Sequence, residues 1–414
     1  GIDEQAQGWG VAINLMEGLS ASYGEREVEH IKPSLTHVTE DQEGFAVAYT
    51  MGSATISVQN NEVTNNGGTA GTDLHSAVII GYAAGDAINT NNSQGSVLIG
   101  YNAGTTQTGG VNTFIGYDSG RYNVAGTYNT FVGFEAGTHA TASRNTFMGY
   151  QAGKGVSAAE TSGGNNTAIG AYALDVFTTG DNNTAVGDGA LGALTEGDAN
   201  VAVGVNAGAP LTTGAGNTFL GRSAGGSVTT GGENVLIGQY AGNAHNKSYV
   251  VCIGASAGAY TGGNSVHVGR LAGRYMGGIH NVSIGYQAGA YNTNSQNANG
   301  GYNTFVGSQS GMHATSGSSN AALGAEALEA LTTGAANAVV GTQAGHNINT
   351  GGSNTLLGLA AGAGITSGTG NTLIGRSANQ SAVDITDEIV LKAGTDALAG
   401  GGTETIRIGV DSDY

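Results

Sequence analysis

The chain has 414 residues, with 76 Gly, 2 Pro, 10% charged residues and a formal net charge of −18. That much Gly without abundant Pro or a strict triplet excludes collagen, and 39% hydrophobic content excludes a disordered linker. Residues 76–379 hold 12 Asp and Glu against 8 Lys and Arg, so the acidity is concentrated at the two ends, and no basic stripe is offered to a nucleic acid.

Residues 1–75 show no repeat. WGVAINLMEGLSASYGE and EGFAVAYTMGSATISVQNNEV alternate apolar and polar residues, with a turn-like MGS inside the second. This predicts β-hairpins forming an N-terminal cap or attachment region, which also holds Trp9 and Pro33. The alternation resembles strand–turn–strand stretches of bacterial outer-membrane porins.

Residues 76–379 are a repeat. NTFVGFEAG at 129–137 returns as NTFMGYQAG at 145–153, and alignment on the Gly ending each short apolar run gives eighteen copies, from Gly81 to Gly375. The commonest spacing is 17 residues, and the two longest intervals carry the insertions KGVSAAETSGGN and AYNTNSQNANGG. A period of this length denotes a solenoid whose rungs bury a shared core by stacking. The prediction is all-β: a parallel β-solenoid (β-roll) of about eighteen coils of ~17 residues, a rod of roughly 85 Å at ~4.8 Å per rung.

Positions are counted from the repeat Gly. Position −1 is Ile, Val, Leu or Met in every copy, and position −3 is Thr or Val with occasional Ala. The two lie on one face of a strand, taken here as the core face. Position +3 is always Ala or Ser, which permits a thin coil. Position −4 is Asn in fourteen copies: Asn112, Asn129, Asn145, Asn166, Asn183, Asn200, Asn217, Asn234, Asn281, Asn303, Asn320, Asn337, Asn354 and Asn371. Stacking predicts an amide ladder along them.

Position −2 then points away from the assumed core, yet it carries Phe114, Phe131, Phe147, Phe219, Leu236, Phe305, Leu356 and Leu373. An outward apolar stripe needs a cover, and the simplest cover is the same stripe on identical chains, which predicts a trimer interface. His267 and Ser283 would mark a wetter part of that axis. Cys252, the only cysteine, excludes an intrachain disulfide and reads as a buried apolar side chain within YVVCIG. Residues 380–414 contain EIVLKAG and TIRIGVD, which predict a small C-terminal β cap that loosens the 17-residue rule.

NTFVGFEAG, NTFMGYQAG, NTAIGAYAL, NTFLGRSAG and NTLIGRSA resemble repeats of trimeric autotransporter adhesin heads, and more closely the repeat regions of bacteriophage tail fibres. The resemblance implies a left-handed parallel β-roll, trimeric, serving in surface attachment. An adhesin of the autotransporter type would also carry a secretion signal, a coiled-coil stalk and a membrane anchor, none of which is recognised in the sequence. The chain does not open on Met, so residue 1 is not expected to be the gene start, and a processed fibre would suit its end.

No catalytic signature is found: the nine His are scattered, without HExxH spacing. A carboxylate pair for glycoside hydrolysis would need two coils to bring acids together. The repeat region offers twelve acids, among them Glu326 and Glu329 in AEALEALTTG, sister to AYALDVFTTG at 171–180. A tailspike-like glycan hydrolase is the less favoured alternative. Ice binding by a Thr column is disfavoured because that column is assigned to the core. The expectation is a non-enzymatic homotrimer without metal or cofactor, located on a virion tail or, alternatively, a bacterial surface. It would bind a surface glycan or outer-membrane protein and join other tail or baseplate proteins. The candidate contacts are the two insertions and Tyr82, Tyr101, Tyr117, Tyr150 and Tyr286, through stacking of Tyr rings on sugar faces.

Overall fold

The computed structural model describes residues 3–16, 19–31, 37–51, 54–65, 77–87, 95–157, 161–290, 300–379, 384–393 and 406–410, with side chains from residue 77 to 392 within those ranges. The chain divides into two units, residues 1–198 and 199–414. Among the described residues there is no α-helix, and hence none long and apolar enough to cross a membrane.

The first unit opens with β1 (Asp3–Met16), β2 (Leu19–Ile31), β3 (His37–Met51) and β4 (Ala54–Asn65), paired antiparallel in succession. Seven short strands follow: β5 (Ala77–Ile80), β6 (Val97–Ile99), β7 (Thr113–Ile115), β8 (Thr130–Val132), β9 (Thr146–Met148), β10 (Thr167–Ile169) and β11 (Thr184–Val186). Each pairs parallel with the next, whereas β4 pairs antiparallel with β5. An open β5 edge would present unpaired backbone groups, and β4 occupies it.

The second unit holds β12 (Val201–Val203), β13 (Thr218–Leu220), β14 (Val235–Ile237), β15 (Val251–Ile253), β16 (Val266–Val268), β17 (Val282–Ile284), β18 (Thr304–Val306), β19 (Ala321–Leu323) and β20 (Ala338–Val340). It continues with β21 (Thr355–Leu357), β22 (Thr372–Ile374), β23 (Ile389–Ala393) and β24 (Ile406–Val410). All pair parallel in sequence order. The stack therefore continues beyond residue 379. Thr372 pairs with Ile389 and Ile389 with Ile406, so the C-terminal strands keep the 17-residue step they were expected to loosen. From β5 onward each unit is a parallel β-solenoid.

Register holds column by column: Phe114 pairs with Phe131, Phe131 with Phe147, Phe147 with Ala168 and Ala168 with Ala185. The rest of each rung is turn, yet it too is tied to the next rung. Gly120 N–H donates to Ala136 O at 3.0 Å, and Tyr122 N–H to Thr138 O at 2.9 Å. The repeat Gly is required by contact as well as conformation. At Gly116, φ is +140°, and a Cβ would lie 2.2 Å from the carbonyl oxygen of Gly133. No side chain fits there.

The core reverses the assumed facing of the strands. Position −2 is the inward one: Phe114, Phe131, Phe147, Phe219, Leu236, Phe305, Leu356 and Leu373 are all fully buried within their own chain. The eight side chains expected at a trimer interface are therefore core residues. Positions −3 and −1 flank them on the outer face, as in the half-buried Thr113 and Ile115 either side of Phe114. A three-residue strand places one side chain on one face and two on the other. Here the single residue goes inside because it alone meets the opposite wall, formed by the residues at +4 and +7.

Size is exchanged across that thin core. Phe131 faces Gly137 and Ala140, whereas Ala168 accompanies Leu174 and Phe177, and Ala185 accompanies Leu191 and Leu194. In these layers volume is moved from one wall to the other.

Candidate functional site

Three features, two on the surface and one buried, follow from stacking identical positions at one-rung intervals. The first is an aromatic column in the first unit, built from the residue just after each repeat Gly. Rings of Tyr82, Tyr101, Tyr117, Phe134 and Tyr150 stack successively, with centroids 5.3, 5.1, 5.0 and 5.3 Å apart and nearly parallel planes. Tyr172 closes the row edge-on to Tyr150 at 5.2 Å. All six are solvent-exposed, Tyr82 most of all at 71%.

Four of the five tyrosines named from the sequence thus form one continuous surface, and two further members, Phe134 and Tyr172, were missed. Phe134 occupies the same repeat position and could have been found by reading the column for aromatics rather than for Tyr. Tyr286 lies in the second unit, with the Arg270 guanidinium carbon 5.9 Å from its ring centroid. The geometry changes the mode of contact expected. Stacked neighbours occupy the ring faces, so the row offers edges and phenolic hydroxyls to a ligand, and sugar stacking on the flat faces inside the row is blocked. Residues 158–160 of the first insertion and 291–299 of the second, also named as contacts, lie outside the described residues.

The second feature is the outer sheet face of each unit. Position −1 is apolar throughout, and nine of these side chains are 37–52% exposed: Met148 and Ile169 in the first unit, and Leu220, Ile253, Ile284, Leu323, Val340, Leu357 and Ile374 in the second. Beside it runs the −3 column, with Thr113, Thr130, Thr146, Thr167 and Thr184 in five successive rungs of the first unit. The Thr column is outward, contrary to its assignment to the core.

The third is the Asn column, which is buried and occupied by its own hydrogen bonds. Asn129 N–H donates to Asn112 Oδ1 at 2.8 Å, Asn145 N–H to Asn129 Oδ1 at 2.8 Å, and Asn166 N–H to Asn145 Oδ1 at 2.8 Å. The side-chain Nδ2 atoms donate to loop carbonyls, as Asn112 to Gly126 O at 2.8 Å and Asn145 to Gly163 O at 3.1 Å. Direct amide-to-amide steps occur too, for example Asn234 Nδ2 to Asn217 Oδ1 at 2.9 Å. Such groups satisfy the corner of the coil and have no exposed surface for a sugar.

His267 does not line an axis between chains. It is fully buried in the −2 column, its Nε2 2.7 Å from Thr261 Oγ1, and Ser283 is buried with its Oγ 3.2 Å from Met276 Sδ. Burial, and then the nearby His245, depress the His267 pKa to about 3; burial, and then Lys247, depress that of His245 to about 4. Burial raises the Cys252 thiol to about 12, which makes it a poor nucleophile. One cluster of potential metal ligands exists among the described residues, Glu326, Glu329 and His346 in the second unit.

No family model matches the chain, and neither curated proteins nor solved structures provide a match.

Proposed function

We propose that the protein is a structural and adhesive component of a bacteriophage tail fibre. It would act as a homotrimer that attaches to a bacterial surface glycan or outer-membrane protein, and would not be an enzyme. The observation that carries this reading is the outer sheet face, where every rung presents an apolar residue (Ile, Val, Leu or Met) at −1 beside Thr, Val or Ala at −3. An exposed apolar stripe of that kind calls for a partner surface, and the same stripe on sister chains is self-complementary under rotation about a shared axis. Attachment is then assigned to the aromatic column, which assembly would present three times over. Many weak contacts held together act as avidity without a deep pocket.

Sedimentation of the full chain should give three chains per particle, and the trimer should bind purified outer membranes or lipopolysaccharide of a susceptible bacterium. A monomer with no such binding would sink the proposal. One observation favours a second reading. An outward Thr column in register over five successive rungs is a regularly spaced surface of the sort that can match an ice lattice. Thermal hysteresis from a monomeric chain would select that reading instead.

A further inference from the structure

We infer that Glu326, Glu329 and His346 form a surface site for a first-row divalent metal ion, with Zn²⁺ as the reference case. One ligand atom from each residue falls within 4.8 Å of the others. Glu326 and Glu329 stand at positions +2 and +5 of one rung, and His346 at +5 of the next. His346 Nδ1 lies 3.2 Å from Glu329 Oε2, yet it is shielded from solvent and makes no aligned hydrogen bond. Gln343, at +2 beside His346, donates from Nε2 to Glu326 Oε2 at 2.8 Å and so orients that carboxylate from outside the triad. The backbone beneath is tied across the two rungs, with Gln343 N–H to Ala325 O at 2.9 Å and Ala330 N–H to His346 O at 3.0 Å. The donors are therefore held by a rigid frame rather than by a loose loop.

A sister arrangement in the first unit shows what the site lacks. Its residues at the same four positions are Glu135, Thr138, Gln151 and Lys154. Gln151 Nε2 donates to Glu135 Oε2 at 2.8 Å, repeating the Gln343–Glu326 bond, and Lys154 Nζ lies 2.7 Å from the same carboxylate. A resident ammonium thus balances Glu135. In the second unit Thr138 is replaced by Glu329 and Lys154 by His346. One carboxylate is added, and the permanent cation gives way to a side chain that is a good metal ligand when neutral.

Two carboxylate oxygens and one imidazole nitrogen suit Zn²⁺ and its first-row neighbours, whereas Ca²⁺ and Mg²⁺ take oxygen ligands throughout. Three protein ligands leave a fourth tetrahedral position for water or for a ligand of the receptor. Because the donors come from two rungs, the ion would also clamp those rungs together.

The test is a Zn²⁺ titration of the full chain by calorimetry, paired with Co²⁺ absorption in the visible range. One tight site per chain is expected, with a rise in melting temperature on Zn²⁺ addition. Glu329→Gln and His346→Ala should each weaken binding at least tenfold while leaving the circular dichroism spectrum unchanged. The converse variant, Thr138→Glu with Lys154→His, should raise the count to two sites per chain. Absence of micromolar Zn²⁺ binding by the wild-type chain overturns the inference, as does binding that survives both single substitutions. Neither result depends on whether the chain is trimeric.

Discussion

Phe131 lies so close to Gly137 that a Cβ added at residue 137 would sit 2.5 Å from its ring. Gly137 also has φ +59°, but Leu174 holds the equivalent position at φ +53° opposite Ala168. Ring and glycine are therefore a matched pair, and backbone conformation alone does not demand glycine there.

This relationship predicts a rescue. Phe131→Ala should destabilise the first unit by about 3–5 kcal/mol through the cavity it leaves. Gly137→Leu should fail by overlap with the ring. The double variant restores the Ala168–Leu174 pairing, and thermal unfolding should show it well above either single variant. If the two effects simply add, the size-exchange account is wrong.

In the Asn column, Asn337 Nδ2 donates to Gly351 O at 3.0 Å and to Asn320 Oδ1 at 2.9 Å, while its Oδ1 accepts from Asn354 N–H at 3.1 Å. Removing the amide strands buried partners on both neighbouring rungs. Asn337→Ala is expected to cost about 2–4 kcal/mol. Asn337→Asp keeps the shape but loses both donors and buries a charge, so it should cost at least as much. A chemical denaturation midpoint equal to wild type in both variants would contradict the assignment.

Charge on the outer face should act on assembly, and charge in the core on folding. Leu323→Lys with Leu357→Lys introduces two cations at positions that are 52% and 48% exposed. Sedimentation of this variant should show monomers with β-sheet circular dichroism intact. Phe305→Asp, at a fully buried position, should instead unfold its surroundings. A Lys variant that remains trimeric would remove the outer face as the interface.

Acid should weaken the second unit. In the unfolded chain an imidazole binds a proton below about 6.5. In the folded chain His245 does so only near about 4 and His267 near about 3. The unfolded state thus holds more protons across this interval. Stability is fully present above about pH 6.5 and falls as pH drops toward 4 and 3, by about 3 kcal/mol for His245 and about 5 kcal/mol for His267. Thr261→Val with His267→Leu, which puts in the apolar type found at Leu236 and Leu356, should flatten the melting-temperature profile between pH 6.5 and 4. An unchanged slope would show that other groups dominate.

The parallel stack was legible in the residues alone. The recurrence of Gly, of Asn at −4 and of an apolar residue at −1 is a one-dimensional property. In-register pairing converts it directly into columns, which is why the Asn ladder and most of the aromatic row could be named residue by residue. The facing of the strand was not determined that way. In a three-residue strand −2 and the −3/−1 pair point oppositely, and both sets are apolar enough to serve as a core. Only closure of the coil decided between them, because Phe131 at −2 fills the space left by Gly137 and Ala140, whereas Thr130 and Val132 have no opposite wall to meet. The exchange of Phe–Gly for Ala–Leu across a rung was written in the residues, but it becomes meaningful only once the turn brings +4 and +7 over −2. The convergence of Glu326 and Glu329 with His346 likewise joins two rungs, and only the rung-to-rung offset of the folded coil brings them within reach of one ion.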